Sequence, residues 1–137
     1  MSPVEPDETP DADATRRFRE AYLAADLERM RDLMTPESYL LAAGAGPLAG
    51  RHEGPDGVIA FARRLRELTG GTLRPWSDEA WDIAVSEYHA FIYQSFAWTS
   101  AGQERSSDEV WLLAFEDGRI ARIFQYLEDP TPYALLG

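Results

Sequence analysis

From Ala14 the apolar residues recur in steps of three and four. Phe18, Ala21, Tyr22 and Ala25 share one helical face, with Arg16, Arg17, Arg19 and Glu20 off it. Asp26 stands where a helix N-cap belongs, and Leu27, Met30, Leu33 and Met34 repeat the spacing after it. Two consecutive helices are therefore predicted, stopped at Thr35-Pro36. Glu37 to Ala43 is short and rich in large side chains, a strand pattern that runs into the breakers Gly44, Gly46 and Pro47. A longer helix follows. Pro55 suits its first turn and Asp56 the positive end of its dipole, while Val58, Phe61, Ala62, Leu65 and Leu68 form its apolar stripe and Gly70-Gly71 its stop.

Beyond Gly71 the period changes to two. Leu73 to Val85 is interrupted by Pro75 and reads as an irregular or edge strand. Tyr88 to Thr99, Ser107 to Phe115 and Arg119 to Glu128 read as full strands. They are separated by Ser100-Ala101-Gly102 and by the hairpin signal Asp117-Gly118, and Asp129-Pro130 ends the last one. Helices first, then a meander of antiparallel strands, is an α+β arrangement with helices on one face of a curved sheet.

Alternation sorts the strand residues into two sets. The first holds Gln94, Phe96, Trp98, Glu109, Trp111, Leu113, Ala121, Ile123, Gln125 and Leu127. The second holds His89, Phe91, Tyr93, Ser95, Asp108, Val110, Leu112, Ile120, Arg122, Phe124 and Tyr126. Neither is polar enough for a plain solvent face, so the set turned away from the helices calls for a second cover, and a partner subunit supplies it economically. A homodimer through that face is the expectation. The first set mixes large apolar side chains with isolated Glu109, Gln94 and Gln125, the composition of a small-molecule pocket or of a core whose polar groups bond one another.

Composition narrows the chemistry. The 137 residues suit one domain, and 24 acids against 13 bases leave a net charge of -11. Every base is Arg; without Lys there is no Schiff-base chemistry, and without Cys no thiol nucleophile or thiolate metal site. His52 and His89 alone are a thin supply for a metal, so neither metal nor cofactor is expected. An acidic chain repels phosphate backbones and anionic lipid, which argues against nucleic acid and membrane partners. Residues 1–13 carry Pro3, Pro6 and Pro10 among five acids and no base, and read as a disordered acidic tail ahead of a domain over 14–137. That start lacks the basic and apolar run of a secretory signal, so a cytoplasmic location is expected.

Several stretches carry a family resemblance: the helix pair ending in Asp26-Leu27-Glu28, the segment Gly46-Pro47-Leu48-Ala49-Gly50-Arg51-His52-Glu53-Gly54, and Glu116-Asp117-Gly118-Arg119-Ile120 leading into Gln125-Tyr126-Leu127-Glu128-Asp129-Pro130. Over about Ala14 to Tyr133 the chain resembles the SnoaL-like branch of the nuclear-transport-factor-2-like, ketosteroid-isomerase-like superfamily. The resemblance implies a cone-shaped, curved antiparallel sheet wrapped around the N-terminal helices, a cystatin-like α+β barrel. It also implies a deep apolar pocket on the concave side and dimers through the convex side. It puts Gln94, Phe96, Trp98, Glu109, Trp111, Leu113, Ile123 and Gln125 on the concave side. The catalytic groups of similar proteins do not carry over. Tyr39 to Pro47 holds no acid where ketosteroid isomerases place their base, and Phe18 and Trp111 fall where their oxyanion donors belong. Gln125 and Trp111 replace the Asp and His of SnoaL-type cyclases, and no concave Arg matches limonene-epoxide-hydrolase-like members.

Glu109 is left as the acid well inside a concave strand; burial beside Trp98 and Trp111 would raise its pKa into the range of a general acid or base. His52, in the loop before the long helix, is a second candidate at the pocket mouth. His89 belongs to the interface face. Tyr39 and Trp76 are expected to flank the opening, where their rings would stack on a ligand. Asp78 and Glu79 read as a hydrated edge, and Tyr133, Leu135 and Leu136 as a lid. The reading is an enzyme of secondary metabolism, a cyclase, isomerase or dehydratase working by proton transfer on an apolar, polyketide-like molecule. Gln94 and Gln125 would orient a carbonyl or hydroxyl. The alternative is a non-catalytic small-ligand binder, and a concave face filled by Trp98 and Trp111 would favour a purely structural dimerisation module.

Overall fold

The computed structural model describes residues 10–77, 79 and 81–136. Helix α1 spans Pro10–Ala24 and α2 spans Leu27–Asp32. Asp11 and Asp13 lie in the first turn of α1, where the helix dipole favours acids, so residues 10–13 are helical rather than tail. Residues 1–9 of the expected disordered tail lie outside the described residues. Between the helices Ala25 takes a left-handed φ of 55°, and Asp26 caps α2 by accepting from Arg29 N at 3.3 Å.

Strand β1 (Met34–Ala42) and the short β2 (Gly50–Glu53) precede α3 (Gly54–Leu68). Val58, Ile59, Phe61, Ala62 and Leu65 make the buried side of α3. Leu73 to Val85, expected as one interrupted strand, is two: β3 (Arg74–Pro75) and β4 (Trp81–Val85), both paired with β5 (His89–Ser100). Then come β6 (Gln103–Glu116), β7 (Arg119–Leu127) and the single-turn α4 (Thr131–Ala134).

The strands form one curled, unclosed sheet in the order β2-β1-β7-β6-β5-β3, with β4 also beside β5. Its pairing is antiparallel except that β1 runs parallel to β7. That exception was not legible from the meander. Between β1 and β7 the chain runs through β2, α3, β3, β4, β5 and β6, so no tight turn forces them to run in opposite directions. Helices α1 and α3 lie against the inner face, and Phe18, Tyr22, Met30, Phe61, Leu65 and Leu113 are among the residues of the shared core.

The two strand sets separate as alternation requires, with one correction. Ile120 was assigned to the outer set yet is fully buried, while Ala121, assigned inward, is only half-buried. Phe115 pairs with Ile120 and the adjacent Ala114 with Arg122, so Ala121 is the extra residue of a β-bulge, and parity shifts across it.

Candidate functional site

The concave face gathers its polar groups around one carboxylate. Glu109 sits mid-way along β6, directly across the ladder from Gln94 on β5 and Leu127 on β7, and is 2 % exposed. The period of two puts Ser107, Glu109 and Trp111 on one side of the same strand. Their side chains bond one another: Trp111 Nε1 donates to Oε1 at 2.6 Å and Ser107 Oγ to Oε2 at 3.1 Å. Gln125 Nε2 donates to Oε1 at 3.4 Å from β7, and the Tyr133 hydroxyl donates to Oε2 at 2.7 Å from α4.

Four donors favour the ionised carboxylate, and burial opposes it. Burial is the larger effect and raises the Glu109 pKa from 4.5 to about 7. The same burial, with the Glu109 charge nearby, pushes the Tyr22 and Tyr133 hydroxyls far above the usual phenol value.

Aromatic rings pack this centre. Tyr22 meets Trp111 edge-on at 5.0 Å and Phe96 at 5.9 Å, and Trp98 stacks on Tyr133 at 5.2 Å. Trp98 and Trp111 are fully buried, so the concave face is filled in this conformation. Polar atoms in it that lack a protein hydrogen-bond partner include Tyr22 Oη, Gln94 Oε1 and Trp98 Nε1. Each such atom costs about 1–3 kcal/mol when left unmade.

Glu109, Gln94, Gln125, Phe96, Trp98, Trp111, Leu113 and Ile123 thus come together as expected, all buried. Other candidates do not join them. His52 lies on β2 rather than in a loop, because Leu40 pairs with it across β1. Its Nε2 donates to the Leu48 carbonyl at 2.7 Å, and Phe61 stands between it and the centre, 5.1 Å from the His52 ring and 6.4 Å from that of Trp111. Tyr39 packs on the outer face against Phe124 at 6.1 Å, with the Arg51 guanidinium 3.7 Å from its ring centre. Buried Ser38, Leu40 and Ala42 take the inward parity of β1, which leaves Tyr39 pointing out. Trp76 is 56 % exposed. Glu79 is exposed, and Asp78 lies outside the described residues. Of the expected lid, Tyr133 and Leu136 turn inward and Leu135 outward.

Ser107 and Tyr22 were missed as members of the site. Ser107 shares the parity of Glu109, and that signal was present; Tyr22 read only as part of a helix stripe. Among the described residues no group of three or more His, Asp or Glu side chains gathers to hold a metal ion, and no helix is long and apolar enough to cross a membrane.

On the outer face, register aligns Leu41, Phe124, Leu112 and Phe91 in one row across four strands, and Tyr126, Val110 and Tyr93 in the next. Phe91, Tyr93 and Tyr126 are exposed there, and His89 is half-buried beside Phe91.

Comparison with known proteins agrees with this architecture. Residues 15–123 match the SnoaL-like domain profile. No curated protein sequence matches the chain. Among solved structures, Bal32a from a soil-derived mobile gene cassette superposes with a TM-score of 0.84 at 18% identity, covering 94% of this chain and 97% of that one. A nuclear-transport-factor-2-like protein from Burkholderia xenovorans LB400 gives 0.78 at 16%, over 93% and 95%. A putative SnoaL-like polyketide cyclase from Jannaschia sp. CCS1 gives 0.72 at 16%, over 100% and 98%. At these identities the likeness is one of fold.

Proposed function

The chain belongs to the SnoaL-like domain family, and from that premise we propose that it is a cofactor-independent, cytoplasmic enzyme of secondary metabolism that moves a proton on an apolar, polyketide-like substrate. The outcome would be a cyclisation, isomerisation or dehydration. Glu109 is the acid–base group. One observation carries this reading: on the concave face a single carboxylate is buried among aromatic side chains, where burial pushes its pKa up to about 7. A group with that pKa both accepts and returns a proton near neutrality. Gln94 and Gln125 flank it on the neighbouring strands, where an amide orients a carbonyl or hydroxyl. The similarity to a putative polyketide cyclase supports the substrate class. The apolar rows of the outer face support a homodimer, which would cover them.

Elimination of nitrobenzisoxazole tests the assignment. A base removes the ring C–H proton, the N–O bond breaks, and a coloured cyanophenolate forms. The rate should rise with pH through about 7 as Glu109 ionises, and Glu109→Gln should lower it by about 100-fold or more. Turnover unchanged in Glu109→Gln would overturn the role of Glu109. The four donors on Glu109 favour a second reading, a non-catalytic ligand binder, which the absence of any elimination above buffer would support; the concave face filled by Trp98 and Trp111 favours instead a purely structural dimerisation module.

A further inference from the structure

Helix α4 carries Tyr133 into the concave face much as a ligand would enter it. The phenol donates to Glu109 at 2.7 Å, and the ring lies against Trp98 at 5.2 Å with 29° between the planes. Tyr133 and the buried Leu136 that follows it anchor α4 to the core. The helix is a single turn of four residues at the end of the described chain, with Leu135 beside it facing solvent. It is seated on Gly46, whose φ of 106° and missing side chain make the room: a Cβ there would come within 2.9 Å of Ala134 Cα and 3.0 Å of the Tyr133 carbonyl oxygen. Around the phenol, polar atoms from two other elements, α1 and β5, remain buried without protein partners: Tyr22 Oη, Gln94 Oε1 and Trp98 Nε1. A tyrosine selected for packing alone leaves those costs unexplained.

We infer that the Tyr133 ring occupies the ligand's place. Withdrawal of α4 opens the site, and the ligand is a neutral planar ring bearing a hydroxyl, a phenol or an enol. Its hydroxyl takes over the hydrogen bond to Glu109, and its ring takes over the stacking on Trp98. A second oxygen on that ring accepts from Trp98 Nε1, and a second donor serves Gln94 Oε1. The net charge of -11 disfavours anionic ligands. This inference rests on the concave face being the ligand site. It adds that the site is closed by a group of the ligand's own chemistry.

β-Naphthol, with naphthalene as the ring lacking a hydroxyl, serves as the probe, followed by tryptophan fluorescence and calorimetry on the full chain. Tyr133→Ala removes the internal competitor and should bind β-naphthol about tenfold or more tighter than wild type, because affinity scales with the open fraction. Naphthalene should gain less, and Glu109→Gln added to Tyr133→Ala should erase the preference for the hydroxyl. Equal affinity in wild type and Tyr133→Ala, or no binding to either, would overturn the inference. Hydrogen exchange on wild type supplies a readout that needs no variant. Saturating β-naphthol should deprotect the Ala134 and Leu135 amides, which bond the Pro130 and Thr131 carbonyls at 3.0 and 3.1 Å. Binding with those amides still protected overturns displacement even where Glu109 proves essential for elimination. Deprotection without Glu109-dependent elimination supports displacement and overturns the acid–base reading instead.

Discussion

Four hydrogen-bond donors on one carboxylate ordinarily hold its pKa low; Glu109 goes the other way because complete burial outweighs them. The sign fixes how stability follows pH. The folded-state pKa, about 7, lies above the ordinary 4.5. The stabilisation is therefore fully present below 4.5 and is lost as pH rises through 7. The shift corresponds to about 3 kcal/mol. Urea denaturation at about pH 5 and about pH 8 should show wild type losing on the order of 3 kcal/mol more than Glu109→Gln, whose side chain does not titrate. Comparing the two proteins cancels the exposed acids, and an equal pH response in both would contradict the assigned shift. Much of this centre was legible residue by residue, since Gln94, Glu109, Trp111 and Gln125 follow from strand parity alone. The hydrogen bond from Tyr133 was not. It reaches Glu109 from 24 residues further along the chain, out of a segment with no periodicity to fix which way its side chains turn.

At the scale of elements, the helices and long strands announced themselves through periods of 3.6 and two, and what a period does not encode is a short element, a bulge or the direction in which distant strands pair. β2 has four residues, which is why His52 read as a loop residue, and the bulge at Ala121 reversed parity within one strand. Gly57 shows how tertiary contact overrides local preference. Inside a helix, Gly→Ala ordinarily stabilises by about 1 kcal/mol. Here a Cβ on Gly57 would stand 2.9 Å from the His52 carbonyl carbon, a backbone atom that yields only if β2 moves. Gly57→Ala should consequently destabilise the fold, by about 1–3 kcal/mol, with a lower urea midpoint and an unchanged slope. A stabilised Gly57→Ala would mean that β2 is loosely held, and His52 would then be free to rotate off the Leu48 carbonyl.

For the whole molecule, charge and apolar surface make opposing demands. Each chain carries -11, so two copies repel. Yet the outer face aligns Phe91, Tyr93 and Tyr126 in rows across the sheet, and water exposure of that surface is what association would relieve. If the homodimer forms through these rows, hydrophobic burial drives it and long-range repulsion limits it. Added salt then strengthens it, because screening removes the repulsion and leaves the apolar term. An interface built on ion pairs responds in the opposite direction. Sedimentation should therefore give twice the 15.4 kDa chain mass, with the dimer tightening between about 0.05 M and about 0.5 M salt. Tyr93→Asp with Tyr126→Asp should yield monomers, since the substitutions put charge into the rows without touching the buried centre around Glu109. Elimination by that monomer at the wild-type rate would show that each concave site is complete within one chain; a monomeric wild type, or a dimer that weakens with salt, would remove the outer face as the interface.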